Sequence, residues 1–340
     1  MKKSVAVVIP TVNGARHLRR SVPSILKQSY KNYTVIVVDN NSKNDDTASY
    51  LAELSQKHSN FIALTNADNL GFTGGVNAGI RFALMHDFDY IALLNNDAVV
   101  EEGWVGALVQ PLEEKPEVAI ATSLILHADG KTIDSTGDWF SVWGLPFPRT
   151  RDHPAIEAPK AGYVFGASGG ASMYRASFFR ELGIFDNYYF AYYEDVDISF
   201  RAQLKGQKVF YTPQARTYHG QGETSKTMPG FSIRQAFRNY PRLVLKNVPF
   251  GLIWKILPRF LLAYLLFLGN AIRRGNGQPA LEGLLQSFTL SWQALWRERK
   301  KIQKLQTVSN KTLYASFWPD LPPDQTGLRK FRDTFVRRKK

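Results

Sequence analysis

The sequence predicts an α/β fold in which helices flank a mostly parallel central sheet, followed by a C-terminal helical region. Three observations support this prediction. Apolar runs rich in valine and isoleucine alternate with stretches of helical periodicity through the first hundred residues. Polar clusters directly follow several of these runs, at the strand ends where open α/β sheets bind ligands. Beyond residue 245 the composition shifts towards Leu, Phe, Trp and Arg.

Four short apolar runs are typical of strands that are covered on both faces of a sheet. They span residues 5–9, 34–38, 61–64 and 90–94, and Pro10 is expected to end the first. Helices are predicted between them, because Leu18, Val22 and Ile25 recur at helical spacing in the first intervening segment. The three intervening helices are predicted at 16–28, 46–58 and 74–86.

The 340 residues divide into two regions of different charge. Residues 1–245 hold 25 basic and 24 acidic side chains, whereas residues 246–340 hold 18 and 5, a balance of +13. The overall composition, 44% hydrophobic and 21% charged, is that of a globular protein. The absence of cysteine excludes disulfides and thiolate metal sites. The N-terminus shows no signal-peptide pattern, which favours a cytoplasmic location.

Asp39 follows the second apolar run and precedes Asn40-Asn41-Ser42. We expect its carboxylate to be exposed at the edge of the sheet, where it can accept a hydrogen bond from a ribose hydroxyl or a base N–H. An aspartate in a turn or at a helix cap fits this residue equally well.

A glycine-rich turn at residues 69–79 leads into the third predicted helix. Glycine lets the backbone approach a ligand closely, and a helix N-terminus favours phosphate. The turn follows the third strand and its glycine spacing differs from the dinucleotide-binding fingerprint. Taken alone, it is a weak indication of a phosphate site.

Asp97 ends the fourth strand and could ligate Mg²⁺ or Mn²⁺, which need few protein carboxylates when a diphosphate supplies other oxygens. A simple turn at the strand end is the alternative. His219 is predicted in a loop beyond a short strand at 208–211, where a neutral imidazole could complete the metal sphere with Asp97. The glycines around His219 suggest a loop that orders over a bound donor. A structural or merely exposed histidine is the alternative.

Glu194 and Asp195 stand at the predicted start of a helix, where the helix dipole stabilises acidic groups. That role could fully explain Glu194. Asp195 is our candidate for a general base, which must reach the hydroxyl that it deprotonates. The small residues at 166–173 permit a bulky acceptor to lie close to the reacting carbon, or form a tight bend. The loop at 144–159 is expected to border the acceptor.

These motifs, taken in order, resemble the GT-A glycosyltransferases of family 2, specifically the bacterial rhamnosyltransferase-like branch. The resemblance covers roughly residues 4 to 245. The matching motifs are Ile9-Pro10-Thr11, Val37-Val38-Asp39-Asn40-Asn41-Ser42, Asn69-Leu70-Gly71-Phe72, Leu94-Asn95-Asn96-Asp97, Gly183-Ile184-Phe185-Asp186 and Tyr193-Glu194-Asp195-Val196-Asp197.

The resemblance implies a Rossmann-like GT-A domain over residues 1–245 and an inverting transfer of a single sugar, such as rhamnose, in cell-surface polysaccharide synthesis. Asp39 would recognise the nucleoside, Asp97 would be the last acid of the D-x-D metal motif, and Asp195 would be the base. Asp97 and His219 would bind Mg²⁺ or Mn²⁺. The implied donor-binding residues are Pro10, Thr11, Asn13, Asp39, Asn41, Asn69, Gly71, Asn77, Asn96 and Asp97. The implied acceptor-side residues are Gly169, Gly170, Glu194 and Arg238.

The implied partners are a dTDP-, UDP- or GDP-sugar and a glycan or lipid-linked acceptor. A UDP-hexose donor is the closest alternative to dTDP-rhamnose. Two departures from the family pattern affect these expectations. Asn95 replaces the first acid of D-x-D, which weakens the expected metal affinity. In the Q-x-x-R-W motif of polymerising synthases, Asn239 replaces the tryptophan, and long membrane spans are not expected.

Residues 246–340 form a basic region rich in apolar helices. Its first apolar segment is interrupted by Lys255, Pro258 and Arg259, which leaves 13 clean residues at 260–272, too few to span a bilayer. A second segment at 281–296 has leucines and aromatic residues at helical spacing. These helices could lie at the inner face of the cell membrane, or they could pack on the first domain or form a homo-oligomer. Nucleic-acid binding is disfavoured, because no recognition motif accompanies the charge.

Overall fold

A mixed sheet of ten strands runs through the protein, whose computed structural model describes residues 2–220, 228–289, 291–323, 325 and 327. The strands of the described residues are β1 (Val5–Thr11), β2 (Tyr33–Asp39), β3 (Phe61–Thr65), β4 (Tyr90–Leu94), β5 (Ala98–Val100), β6 (Val118–His127), β7 (Ile133–Ser135), β8 (Asp138–Phe140), β9 (Pro146–Pro148), β10 (Gly162–Val164), β11 (Ala171–Arg175) and β12 (Lys208–His219). Strands β8 and β9 form a separate hairpin. The main sheet has the order β10-β12-β6-β11-β4-β1-β2-β3, with β5 paired to β12 and β7 paired to β6.

The three predicted helices are present, and the third begins at Gly71, three residues earlier than expected. Gly71 has φ +69, a conformation in which glycine avoids the strain of a Cβ atom. The α-helices of the described residues are α1 (Ala15–Leu26), α2 (Thr47–Lys57), α3 (Gly71–Met85), α4 (Trp104–Glu114), α5 (Ala176–Leu182), α6 (Glu194–Lys205), α7 (Phe231–Asn247), α8 (Phe250–Arg273), α9 (Gly277–Phe288), α10 (Trp292–Lys304) and α11 (Asn310–Ala315).

The four predicted strands pair in parallel, in the order β4-β1-β2-β3. Strand β1 continues through Pro10, which was expected to end it. Strand β11 then pairs antiparallel with both β4 and β6, so the complete sheet is mixed. Because β11 and β4 run in opposite directions, the start of β11 lies beside the end of β4. Asn95 N–H therefore donates to the Gly170 carbonyl oxygen at 3.0 Å.

Apolar side chains cover both faces of the sheet and form two of the three core clusters. The third cluster lies between the C-terminal helices and the β8–β9 hairpin. Phe140, Phe165, Phe200 and Phe317 pack there with ring centroids 5.0–5.7 Å apart. The inner faces of the C-terminal helices thus pack on the sheet-containing part, one of the three arrangements that the sequence left open.

Helix α7 crosses the proposed boundary between residues 245 and 246 without a break. Lys246, with 2% of its side chain exposed, lies 2.7 Å from Asp186 Oδ2 and 2.8 Å from Asp197 Oδ1. Arg242 and Arg201 complete this buried charge cluster. The division into 1–245 and 246–340 stays a prediction, and this cluster joins the two sides of it.

Helix α8 corrects the expectation for the first C-terminal segment, because it runs through Lys255, Pro258 and Arg259. By length and composition alone it could cross a membrane, with 24 residues and a mean hydropathy of 1.7 over its most apolar window. One third of that window, 33%, is buried inside the protein. The second segment is also different from expectation, since it forms two helices, α9 and α10.

Candidate active site

A cavity of about 840 Å³ opens at the carboxyl ends of β1 and β4. The start of β11, the start of α6 and the end of β12 form other parts of its wall. Residues 145–148, from the loop at 144–159 that was predicted to border the acceptor, also line the cavity. The sequence-predicted residues that line this cavity are Pro10, Thr11, Asn69, Gly71, Asn96, Asp97, Gly169, Gly170, Glu194, Asp195 and His219.

The ends of β1 and β4 are joined by a side-chain hydrogen bond, in which Asn96 Nδ2 donates to Thr11 Oγ1 at 2.9 Å. Next to it, Gly71 N–H donates to Asn69 Oδ1 at 3.0 Å, which forms the turn that starts α3. A Cβ atom on Gly71 would lie 2.5 Å from the Phe190 carbonyl oxygen. Glycine is therefore needed here for close packing as well as for backbone conformation.

His219 faces Asp97 because β12 extends to His219 and pairs antiparallel with β5. The prediction that His219 lies in a loop is wrong, since β12 extends eight residues beyond the predicted strand end. His219 Nε2 lies 3.2 Å from Asp97 Oδ1, and its Nδ1 lies 2.8 Å from Asp134 Oδ2. The expected loop beyond it lies partly outside the described residues, at 221–227.

The two carboxylates change the charge state of His219. Burial lowers the imidazole pKa, but the hydrogen bonds and charges of Asp134 and Asp97 raise it to about 9. Burial likewise opposes ionisation of Asp97, yet the hydrogen bond and charge of His219 hold the Asp97 pKa below its usual value. A cation at this position can replace the imidazolium proton as the charge that balances the two carboxylates.

The pair Asp97 and His219 fits a divalent ion that is held jointly with a diphosphate. Ligands in neighbouring octahedral positions lie about 3 Å apart, close to the 3.2 Å between Asp97 Oδ1 and His219 Nε2. Asp134 on Nδ1 would fix the tautomer that leaves Nε2 free to ligate. Within the described residues no group of three or more His, Cys, Asp and Glu could hold a metal. A bound substrate would therefore have to supply the remaining ligands.

Asp195 lies in the first turn of α6, where two backbone N–H groups bind its carboxylate. Gly169 N–H donates to Oδ2 at 3.0 Å, and Val196 N–H donates to Oδ1 at 2.8 Å. Burial raises the Asp195 pKa, and these two hydrogen bonds oppose the increase. The carboxylate is held in one orientation and half-buried in the cavity wall.

Two further carboxyl groups, Glu194 and Asp138, line the same cavity and are more buried than Asp195. Burial and the charge of Asp195 raise both pKa values well above their usual range. Within the described part of the chain, Oε2 of Glu194 is buried without a hydrogen-bond partner. Of the three groups, Asp195 has the smallest barrier to ionisation, since two N–H groups stabilise its charge.

The segment before Glu194 has an unusual backbone, with positive φ at Phe190, Tyr192 and Tyr193. Asn239 on α7 stabilises it, because Nδ2 lies 2.9–3.1 Å from the carbonyl oxygens of Tyr189, Ala191 and Tyr192. Asn239 is fully buried. The residue that replaces the tryptophan of polymerising synthases thus positions the start of α6.

Asp39 does not have the exposed carboxylate that its place at the strand end predicts. It is 2% exposed, and its Oδ1 accepts hydrogen bonds from Ser42 N–H at 3.0 Å and Ser42 Oγ at 2.5 Å. This is the turn role that the sequence left open. The strand end is covered because the chain turns back over it at residues 40–42.

Four other predicted side chains do not line the cavity. Asn13 Oδ1 accepts from the N–H groups of residues 43 and 44, and Asn41 Nδ2 donates to Ala67 O at 2.7 Å. Asn77 is fully buried, and its Nδ2 donates to the Phe185 carbonyl oxygen at 2.9 Å. Arg238 stacks on Tyr188, 4.3 Å from the ring centroid. Each of these side chains has a backbone or ring partner elsewhere in the fold, and none is among the residues that line the cavity.

Asp134 and Asp138 are the main cavity residues that sequence reasoning missed. They lie in β7 and β8, three-residue strands without a strong apolar pattern. Tyr192, Phe231 and Phe267 were also missed as lining residues. The only sequence signal was the pair of acids four residues apart in a stretch otherwise poor in charge.

Comparisons with known proteins agree with this fold. The mannosyltransferase PcManGT from Pyrobaculum calidifontis, solved in complex with GDP-Man and Mn²⁺, superposes with a TM-score of 0.56 and 13% identity. The superposition covers 99% of this chain and 89% of that chain. The fold is therefore the GT-A fold of glycosyltransferases.

Sequence relatives extend the comparison. N-acetylglucosaminyl-diphospho-decaprenol L-rhamnosyltransferase of Mycobacterium tuberculosis is 26% identical over 251 residues, covering 67% of this chain and 80% of that protein. An uncharacterized glycosyltransferase of Haemophilus influenzae is 26% identical over 145 residues. That match covers 42% of this chain and less than half of the relative, 44%.

A family model described as glycosyl transferase family 2 matches residues 6–183, just over half of the chain. The protein is a glycosyltransferase, and it belongs to glycosyl transferase family 2.

Proposed function

We propose that this enzyme moves a single sugar, with inversion, from a nucleotide diphosphate to a hydroxyl of a glycan or lipid-linked acceptor. One observation carries the proposal. The same cavity contains the Asp97–His219 pair, suited to a metal-bound diphosphate, and Asp195, a carboxylate held by two N–H groups. Inverting transfer from a nucleotide sugar uses a base for the acceptor hydroxyl and a positive charge for the departing diphosphate.

In the proposed reaction, Asp195 accepts the proton of the acceptor hydroxyl as the oxygen attacks the anomeric carbon. The new bond joins the acceptor oxygen to that carbon. The bond from the carbon to the diphosphate oxygen breaks, and its electron pair leaves with the nucleotide diphosphate. Attack from the side opposite the leaving group inverts the anomeric configuration.

Asp97 and His219 would hold Mg²⁺ or Mn²⁺, which would neutralise the diphosphate. The presence of Mn²⁺ in the PcManGT structure supports a divalent metal. Asp134 orients His219, and Thr11 and Asn96 shape the wall next to the metal ligands. Because Asp39 is buried, the nucleoside would be recognised by residues that line the cavity, such as Pro10 and Asn69.

Gly169 and Gly170 would leave space for the acceptor beside Asp195. A Cβ atom on Gly169 would lie 3.4 Å from Asp195 Cβ, and one on Gly170 would lie 3.2 Å from Asn95 Nδ2. The protonated Glu194 would donate to an acceptor oxygen, which would satisfy its unpartnered buried atom. Phe147 and Phe267 add apolar side chains to the cavity lining.

The name of the Mycobacterium tuberculosis relative supports rhamnose as the sugar and a lipid diphosphate as the acceptor. A role in cell-surface polysaccharide synthesis is part of the proposal. A UDP-hexose is the second candidate donor. Asn239 in place of tryptophan, and its bonds to the segment before α6, favour transfer of one residue over polymerisation. We place the reaction in the cytoplasm, where nucleotide sugars are available.

The decisive experiment combines a nucleotide screen with one variant. Calorimetry with dTDP, UDP and GDP, each with Mn²⁺, Mg²⁺ or EDTA, should show metal-dependent binding of one nucleotide. Asp195→Asn should lower kcat about 10³-fold while nucleotide affinity stays within about twofold. The exposed Asp87→Asn is the matched control. An equal loss of nucleotide affinity and melting temperature in Asp195→Asn would contradict the base assignment.

A further inference from the structure

We propose that the outer face of α8 and the adjoining tryptophans of α10 dock on an anionic membrane, with α8 lying in the plane of its surface. This inference concerns a partner, and it goes beyond the transfer reaction. The docking face consists of Phe250, Trp254, Leu261, Leu265, Ile272, Trp292 and Trp296.

An exposed apolar stripe runs along the whole of α8. Phe250, Trp254, Leu261, Leu265 and Ile272 follow at intervals of four and seven residues, which places them on one side of the helix. They are 59%, 76%, 49%, 62% and 53% exposed. The stripe extends about 33 Å at the usual rise per residue. A surface of this length and composition indicates a binding partner.

The opposite side of α8 is buried in the protein. Leu252, Ile256, Phe260 and Ala263 belong to the third core cluster. Tyr264 Oη donates to the Phe237 carbonyl oxygen at 2.7 Å. A helix that is held in the core along one side cannot have lipid all round it. Helix α8 therefore lies in the plane of the membrane surface and does not cross the membrane.

At the N-terminal end of α8, the apolar stripe continues onto α10. The rings of Phe250 and Trp296 stack with centroids 6.3 Å apart and an interplanar angle of 20°. Trp292 joins them around a small apolar cavity of about 60 Å³. Trp292 and Trp296 are themselves 48% and 47% exposed. Tryptophan is enriched at the boundary between lipid and water.

Basic side chains flank the stripe on both helices. Lys255, Arg259 and Arg273 are exposed on α8, whose sequence from residue 250 to 273 contains no acidic residue. On α10, Arg297 and Lys300 follow the tryptophans and are exposed. An apolar stripe with a basic flank fits acyl chains beside anionic headgroups. A second copy of the chain would bring two basic flanks together, so we assign the face to a membrane.

Helix α8 also connects this face to the active site. Phe267 lines the catalytic cavity and belongs to the same helix as Leu265 on the docking face. One helix diameter, about 10 Å, thus separates the cavity wall from the proposed membrane surface. If the acceptor is lipid-linked, as proposed above, its headgroup enters the cavity while its chain stays in the bilayer.

The test uses the full-length protein without substrates, so its outcome does not depend on the proposed reaction. Flotation is measured with phosphatidylcholine vesicles and with vesicles containing about one third phosphatidylglycerol, at low and high salt. The wild type should float with the anionic vesicles and bind less at high salt. Trp254→Gln/Leu265→Gln and Lys255→Glu/Arg259→Glu should each lower the partition coefficient by about tenfold or more.

Ile156→Gln, at a side chain that is 94% exposed outside the face, is the matched control and should float like the wild type. Melting temperature and nucleotide affinity verify that each variant is folded. Wild-type flotation that no face variant changes would overturn the proposal. So would a dimer in sedimentation that the Trp254→Gln/Leu265→Gln variant converts to a monomer without any vesicle binding. Bound protein that detergent releases but carbonate does not would overturn the in-plane orientation.

Discussion

Asp134 Oδ2 lies 2.8 Å from Nδ1 of His219, on the side of the ring opposite Asp97. Asp134 is the only acidic residue of β7, and β12 has none. Asp134 contacts Nδ1, whereas Asp97 and Asn95 contact Nε2, so Asp134 is the partner that fixes the ring tautomer with Nε2 towards Asp97.

Asp134→Asn should weaken metal-dependent nucleotide binding by about 10–100-fold, because the imidazole loses the partner that fixes its tautomer. Calorimetry with the nucleotide diphosphate, with Mn²⁺ and with EDTA, measures the effect without catalysis. Asp152→Asn is the control, since it alters an exposed contact with His127 at 3.3 Å. Equal nucleotide affinities for the Asp134 variant and wild type in Mn²⁺ would contradict the positioning role.

The rate of transfer should fall in acid along a limb that belongs to Asp195. Burial raises the Asp195 pKa, so the group becomes protonated at a higher pH than an ordinary aspartate. A protonated Asp195 cannot accept the acceptor proton, and kcat therefore decreases as pH falls through this raised pKa. The measurement is kcat against pH at saturating substrates, with nucleotide affinity recorded at each pH. A constant kcat down to the usual aspartate range would count against Asp195 as the base.

Lys246→Met should lower the free energy of unfolding by about 3–5 kcal/mol, because it leaves Asp186 and Asp197 buried with fewer cationic partners. Burial opposes the ionisation of both aspartates, but Lys246 and its arginine neighbours lower their pKa values. Depressed values in the folded state mean that this stabilisation is present at neutral pH and is lost as pH falls through them. The difference between variant and wild type should therefore shrink in acid.

Urea unfolding at neutral and acidic pH measures both effects of the Lys246 change. Lys205→Met is the matched control, because Lys205 pairs with Glu181 where the two side chains are 30% and 43% exposed. That change should cost less than about 1 kcal/mol. Similar costs for the two variants would show that the buried cluster does not hold α7 to α6.

Asn239→Ala should reduce kcat more than nucleotide affinity, because three carbonyl oxygens before α6 lose their donor. The loss should also destabilise the protein by about 1–3 kcal/mol. Asn32→Ala removes an exposed bond to the Lys2 carbonyl oxygen and should leave both quantities unchanged. A wild-type kcat in the Asn239→Ala variant would show that Asn239 does not position Asp195.

The sequence alone determined the four parallel strands, the three helices between them and eleven of the residues that line the cavity. Short continuous apolar runs are typical of strands that are buried on both faces of a sheet. Parallel strands in one sheet have their carboxyl ends at the same edge. Residues at these ends, such as Thr11 and Asp97, were therefore predictable. The start of α6, with Asp195, was predictable for a similar reason, because acidic residues mark a helix N-terminus.

Only the tertiary structure decided which polar side chains enter the cavity. Asp39 binds Ser42 three residues away, since a local partner within hydrogen-bond reach satisfies it at little cost in entropy. Asn77 instead binds the Phe185 carbonyl oxygen, 108 residues away, a contact that only the packing of α3 against that segment creates. Asp134 meets His219 across 85 residues of chain through the pairing of β7 and β12 with β6. Such a contact depends on strand order and register, which are set by burial over the whole sheet rather than by local sequence.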